Sequence, residues 1–369
     1  MRLIYAMTFI AITGGMMTGC SSLPDGLCFS ADFRADNVWL LVDETWVHAD
    51  GERHVRQEIF DSVFQIIDEA EKYILLDFFL VNNFLYEPGP GMRPFSRELT
   101  DKLIRKRERS PAVEIVFITD PINTVYDSVS SPLFQSLEKA GVQVFWTDLN
   151  ELRDSNPLYS KPWRLLVKPF ETGPGKTLSN PIGDGRISLR SALKLLNFKA
   201  NHRKLIVTEK SLLVTSANPH SASSAHWNMA LRVDGGGQAA ALRSESAILQ
   251  LSGAESFQPK VGWKPAIQNI PRTAGVPPAA VELLTERKIK EKVLHLLDRA
   301  ESGARIDLTM FYLADSDIIH ALINARKRGC RLRVILDPNK DAFGRIKDGI
   351  PNRQSAARLV KAGIPVRWA

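Results

Sequence analysis

Apolar residues at positions 63, 64, 66, 67 and 70 are interleaved with Gln65, Asp68, Glu69 and Glu71. That spacing predicts the end of an amphipathic helix. The same pattern returns at 293–301, from Val293-Leu294 to Ala300-Glu301. Each stretch leads into an apolar strand, 74–81 and 306–313, with Phe79 aligned to Phe311. A polar helix follows each strand, then a β-branched strand ending in Asp-Pro, at Asp120-Pro121 and Asp337-Pro338. A closing helix ends at Leu137-Glu138-Lys139-Ala140-Gly141 and again at Leu359-Val360-Lys361-Ala362-Gly363, before Val144-Phe145-Trp146 and Val366-Arg367-Trp368. Self-similarity over such a distance is read as an internal repeat. Two β-α-β-α-β units predict an α/β fold of two pseudo-repeated halves, with central, mostly parallel or mixed sheets flanked by helices.

A different pattern occupies the end of the first half. Asn201-His202-Arg203-Lys204-Leu205-Ile206-Val207-Thr208-Glu209 reads as a strand, and Leu212-Leu213-Val214-Thr215-Ser216-Ala217-Asn218 as a second one after a short turn. Residues two apart on a strand share a face. His202 with Lys204, and Ser216 with Asn218, are therefore expected to converge on one patch. An imidazole, a fixed cation and two neutral hydrogen-bonding groups suit a phosphate whose phosphorus is attacked while its charge is held.

This block resembles the phospholipase D superfamily, whose pattern is His-x-Lys-x4-Asp followed by Gly-Ser-x-x-Asn or Gly-Ser-x-Asn. His202, Lys204, Ser216 and Asn218 match it. Glu209 stands at the acidic position, Thr215 replaces the Gly, and Asn228 stands where cardiolipin synthase-like members carry a Glu that orients the histidine. The resemblance implies two halves sharing a cleft and a two-step phosphodiester reaction without metal or organic cofactor. One histidine becomes phosphorylated; the other protonates the departing alcohol and then activates water or an acceptor alcohol. His202 takes one of these roles, Lys204 and Asn218 hold the non-bridging oxygens, Ser216 positions the phosphate or the imidazole, and Asn228 accepts the ring N–H. The stretch from Asp337 to Gly344 is similar to bacterial cardiolipin synthase-like members, which points to phospholipid hydrolysis or phosphatidyl transfer. A nuclease of the same superfamily and an inactive surface lipoprotein are the competing readings.

At the N-terminus, Arg2 precedes a short apolar run and Met17-Thr18-Gly19-Cys20-Ser21-Ser22. This has the build of a secretory signal, and the run is too short to span a bilayer comfortably. It resembles a bacterial lipobox, with cleavage before Cys20, lipid on that cysteine, and Ser21 favouring the outer membrane. The expected organisation is a signal peptide at 1–19, a tether at 20–35, a first half at 36–252, a Pro-rich linker at 253–278 and a second half at 279–369. His-x-Lys occurs once, and the second half is expected to be cut before its own block, one residue past Trp368.

Composition adjusts this picture only slightly. A hydrophobic content of 44% over 369 residues is ample for two cores. The net charge of +7 favours anionic partners, and much of the surplus lies between Lys161 and Arg203. Phospholipid and a membrane are the expected partners, nucleic acid less so, because a lipid anchor places the protein among phospholipids. A Cys28–Cys330 disulfide is left open by the sequence. The 158–186 stretch reads as a Pro- and Gly-containing linker. Gly173-Pro174-Gly175-Lys176-Thr177 lacks the first Gly of a P-loop, since position 170 is Phe170. His220 and His226 have no metal-ligand spacing and read as polar residues of the cleft rim. Asp120 and Asp337 read as turn and capping residues.

Overall fold

The computed structural model describes residues 24–82, 92–170, 172–183, 185–254, 277–339, 341–342, 345–346 and 348–369. The chain opens with β1 (Ser30–Ala35), β2 (Asn37–Val47) and β3 (Arg53–Arg56). It then alternates through α1 (Ile59–Glu69), β4 (Tyr73–Phe78), α2 (Phe95–Arg109), β5 (Glu114–Thr119), α3 (Pro132–Lys139) and β6 (Gln143–Trp146). An excursion follows: α4 (Pro157–Leu166), a small ladder of β7 (Leu178–Ser179) and β8 (Arg186–Ile187), and α5 (Leu189–Leu195). The 158–186 stretch, expected as a linker, thus contains a helix, which starts with Pro157 at its first turn where no N–H partner is needed.

The chain re-enters the sheet through β9 (Lys204–Thr208), β10 (Ser211–Thr215) and β11 (Asn228–Asp234), and continues into α6 (Gln238–Leu251). The resulting eight-stranded sheet has the order β3-β2-β11-β10-β9-β4-β5-β6. β4, β5 and β6 are parallel, whereas β9 and the strands beyond it pair antiparallel, so the sheet is mixed. Every residue of β4 is buried because helices cover both faces. Ile74, Leu76, Phe78 and Ile206 pack on one side against α1, α2 and α3. Leu75, Leu205 and Val207 pack on the other against α6. The fold is therefore mixed α/β, with a central mixed sheet flanked by helices.

β12 (Ala279–Leu284) pairs antiparallel with β1. Beyond it come α7 (Arg287–Arg299), β13 (Arg305–Met310), α8 (Ser316–Lys327), β14 (Arg331–Leu336), a small ladder of β15 (Asp341–Ala342) and β16 (Arg345–Ile346), α9 (Asn352–Lys361) and β17 (Val366–Trp368). β13, β14 and β17 form a parallel sheet with a separate core around Leu322, Leu332 and Leu359. Cys28 is exposed, and Cys330 is buried and bonded to the Ala300 and Glu301 carbonyls, so both are free thiols. Cys20, expected to carry lipid, most of the 253–278 stretch expected as a linker, and Phe343-Gly344 lie outside the described residues. Among the described residues no helix is long and apolar enough to cross a membrane.

Glu209 sits in the two-residue turn between β9 and β10, at the far end of β9 from His202. Its carboxylate accepts backbone N–H groups of Glu71 at 2.7 Å, Lys72 at 3.3 Å and Tyr73 at 3.4 Å, where α1 hands over to β4. The acidic position of the motif thus serves the scaffold. Glu209→Ala should lower stability by roughly 2–3 kcal/mol, because buried amides lose their acceptor. Urea unfolding would show this as a lower midpoint, and a midpoint equal to wild type would remove Glu209 from that role.

Candidate active site

The segment before β9 is gripped from one side. Asn201 donates its Nδ2 to both Asp77 carboxylate oxygens, at 3.0 and 2.8 Å, and to Thr147 Oγ1 at 3.0 Å. Its backbone N–H bonds Asp120 Oδ2 at 2.7 Å. Two residues on, the Arg203 guanidinium bonds Glu245 at 3.1 Å, and Ser244 through both carbonyl and hydroxyl. Asp77, Asp120 and Glu245 are fully buried. Burial, and then the neighbouring Glu245 carboxylate, push Asp77 well above the ordinary carboxylate range. Burial likewise raises Asp120 to about 7, opposed by the amides it accepts from.

Because Asn201 and Arg203 anchor to this cluster, His202 and Lys204 are left for the opposite side. His202 precedes the first ladder residue of β9 and is exposed, with its ring centroid 4.7 Å from that of Phe79. Lys204 is buried, its Nζ 3.2 Å from His202 Nδ1 and 2.9 Å from the His202 carbonyl, and 5.3 Å from the Phe79 ring centre. The expected juxtaposition of imidazole and ammonium is present. Although His202 keeps solvent-accessible surface, enclosure of its ring by neighbouring groups, reinforced by Lys204, lowers it to about 4. Burial lowers Lys204 to about 8, with Asp77 opposing the shift. At neutral pH the pair is therefore a neutral imidazole beside a cation. An ammonium can only donate, so Nδ1 is the acceptor and the ring hydrogen resides on Nε2.

Ser216 and Asn218 follow β10 on the adjacent strand. Ser216 Oγ bonds Asn228 Oδ1 at 3.0 Å and accepts the Met229 N–H. Asn218 Oδ1 accepts the Leu80 N–H at 3.2 Å, and its own N–H bonds Ser223 Oγ. Asn228 departs from expectation. Its oxygen is taken by Ser216, while its Nδ2 serves the carbonyls of Ser223 and His226. It braces the loop after β10, and the imidazole Nδ1 finds Lys204 instead. A neutral carboxamide has no charge with which to outbid that ammonium.

His220 and His226, read as residues of the cleft rim, lie near each other in the stretch after Asn218. His220 starts a 3-10 turn, its Nδ1 accepting the Ser223 N–H. Its ring is lowered to about 4 by burial, then by His226 and Lys204. His226 lies with its ring centroid 6.3 Å from that of His220 and feels the Asp337 carboxylate at the end of β14. The sequence cue to the gripping cluster was a lone Asp77 inside the apolar run Ile74-Leu75-Leu76-Asp77-Phe78-Phe79. Arg203 gave no such cue, since it read as one more surplus charge. Among the described residues no group of acidic, His or Cys side chains is arranged to hold a metal ion.

Residues 293–369 match the family model described as cardiolipin synthase, PLD-like domain. This PLD-like segment begins within α7 and lies wholly C-terminal of His202. Comparison with curated proteins gives no match. Phosphatidylserine synthase from Haemophilus influenzae Rd KW20 is similar at 9% identity and a TM-score of 0.49, over 93% of this chain and 75% of that one. NUC from Salmonella typhimurium, a phospholipase D family member, aligns at 11% identity and a TM-score of 0.30, over 57% and 91%. NucT from Helicobacter pylori aligns at 11% identity and a TM-score of 0.31, over 60% and 100%.

Two outcomes are expected from this geometry. Dimethyl phosphate keeps one negative charge across the accessible pH range, so its affinity reports the site's own titration. Binding should weaken as pH rises through about 8, where Lys204 loses its proton. It should be insensitive to pH near 6, because His202 is already neutral above about 4. Calorimetry showing undiminished affinity well above that limit would remove Lys204 from the anion site. Arg203→Ala should cost about 3–5 kcal/mol of stability, since it strands the buried Glu245 charge. A thermal midpoint unchanged from wild type would contradict the grip.

Proposed function

We propose that this chain is a phospholipase D-type phosphodiesterase or phosphatidyltransferase acting on phospholipid through a phosphohistidine at His202. The observation that carries the reading is the exposed, neutral imidazole with a buried ammonium 3.2 Å from its Nδ1. The PLD-like match of residues 293–369 supports it. An incoming phosphate offers Lys204 a full negative charge in place of a nitrogen lone pair. Lys204 then turns from His202 Nδ1 to a non-bridging oxygen, and Asn218 Nδ2, without a partner among the described residues, takes another. The freed imidazole attacks phosphorus, a P–N bond forms, and the P–O bond to the alcohol breaks as the departing oxygen takes a proton from water. Water or an acceptor alcohol then cleaves the P–N bond. Lys204 holds charge that grows on the equatorial oxygens during attack, which is where a preorganised cation lowers the barrier most.

The wider organisation belongs to the same proposal. The first and second β-α-β-α-β stretches are read as pseudo-symmetric halves, the second contributing Asp337 to the rim beside His226. Lipidation at Cys20 would hold the protein on a bacterial envelope membrane, within reach of its substrate. Basic charge favours a second reading, cleavage of nucleic acid by the same His202 chemistry.

Assays on phosphatidylglycerol vesicles and on single- and double-stranded DNA separate the two. The proposal expects product from the vesicles and little from DNA, with His202→Ala abolishing turnover while unfolding as wild type does. Lys204→Ala should slow the reaction about 10²–10³-fold, the range for losing one transition-state donor. DNA cleavage alone would favour the second reading, and turnover by folded His202→Ala would place the chemistry elsewhere.

A further inference from the structure

The excursion between β6 and β9 is built as an antiparallel helical pair. Near the start of α4, Asn156 Nδ2 bonds the Leu196 carbonyl at 3.2 Å, and Tyr159 OH bonds that of Leu193 at 2.9 Å. Past the other end of α4, the Arg190 guanidinium lies 5.2 Å from the Phe170 ring centre. The inner face of α4 is set by Ser160 and Trp163, both buried. Its outer face falls at the spacing of Leu158, Leu165 and Leu166, which are 91%, 76% and 65% exposed. Phe170 and Phe198, also more than half exposed, extend this apolar surface at either end of the pair. Single exposed leucines are ordinary, but several large apolar side chains on one small element mark a contact surface.

Charge identifies the partner. Residues 157–199 hold eight Lys and Arg against two acidic residues, so +6 of the chain's net +7 sits here. Behind the apolar face is a cavity of about 330 Å³ lined by Lys168, Arg190, Lys194, Thr172, Asp127 and Trp163. Lys194 is poised over the Tyr126 ring, 5.3 Å from its centre. Tyr126 itself lies in a run of three left-handed residues, Val125, Tyr126 and Asp127, with φ of 46°, 53° and 66°. Trp163 Nε1 is buried without a hydrogen-bond partner among the described residues. A second copy of this face would meet it with like charge, which disfavours self-association. Nucleic acid pairs cations with open aromatic platforms for base stacking, whereas the most exposed side chains here, Leu158 and Leu165, are aliphatic, and the Phe170 ring already faces the Arg190 guanidinium. Exposed aliphatic groups ringed by cations are what the boundary between headgroups and acyl chains accommodates.

We infer that α4 and α5 form a docking surface for an anionic phospholipid bilayer. Leu158, Leu165 and Leu166 enter the acyl boundary, and the cation-lined cavity receives one headgroup phosphate. Only three residues lie between Phe198 and His202, so docking here would bring the His202 rim to the membrane plane. The inference concerns attachment and stands whether or not His202 turns over lipid.

Hydrogen exchange read by mass spectrometry on the full chain tests it locally, so that attachment elsewhere does not produce the signal. Vesicles containing phosphatidylglycerol should slow exchange in peptides spanning 157–170 and 189–199, and pure phosphatidylcholine should do so much less. Leu165→Ser with Leu166→Ser should weaken the protection about a hundredfold in lipid concentration. Lys161→Glu with Lys168→Glu provides a second, charge-only variant. Each lost surface cation should weaken the protection about fivefold, and each reversal should do at least that. Unchanged exchange on anionic vesicles would overturn the inference. Equal protection of wild type by a DNA oligonucleotide would do the same, as would protection that rises with protein concentration in the absence of lipid. Protection by inorganic phosphate confined to cavity residues, with no added effect of vesicles, would reduce the surface to a free-phosphate site and likewise overturn it.

Discussion

The candidate site depends on one grip, that of three buried carboxyl groups on the residues flanking His202. Asp77, Asp120 and Glu245 hold Asn201 and Arg203 from the α6 side of the sheet. Along an extended chain, side chains alternate, so fixing 201 and 203 on one side consigns 202 and 204 to the other. A slip of one residue would exchange the two sets and bury the imidazole among carboxylates. The grip is costly, since charged carboxylates are poorly tolerated without water. It is made tolerable by the Asn201 carboxamide on Asp77, by backbone amides on Asp120 and by Arg203 on Glu245. Such a network specifies register more than it adds net stability.

That division of labour extends along β9. Its far end is secured by Glu209, whose carboxylate gathers the amides joining α1 to β4. Its near end is secured by the acid cluster, and its middle by apolar packing on both faces of the sheet. His202 and Lys204 therefore project from a rigid strand end, while Ser216 bonds Asn228, and Asn218 and Asn228 both bond Ser223 in the loop after β10. Asn228 is committed to this loop rather than to the imidazole. Without a carboxylate at that position, the imidazole takes its partner from Lys204 and rests with its hydrogen on Nε2.

Much of the architecture was legible because periodicity survives in local sequence. The apolar spacing around Val63 and Val293 marked α1 and α7, and the β-branched runs before Asp120 and Asp337 marked β5 and β14. His202 and Lys204 were legible because their separation on an extended chain sets their geometry. What escaped was long-range: the Arg203–Glu245 and Asn201–Asp77 contacts join residues 42 and 124 positions apart, and no local pattern encodes them. The role expected of Asn228 failed for the same reason, because its competing partner Ser216 comes from the neighbouring strand. The helix α4 was obscured by Pro157 and Pro162, which signal a linker in sequence yet sit at the start and on the exposed side of a short helix.

The central claim, that His202 is the group that attacks phosphorus, is most directly tested by trapping the intermediate. Rapid acid-free quenching of a single-turnover reaction with phospholipid, followed by peptide mass mapping, would locate any covalent phosphate. An acid-labile phosphatidyl adduct, joined through a P–N bond, is expected on His202 and absent from His202→Ala. An adduct on His220 or His226, or full turnover with no adduct at any time point, would contradict it.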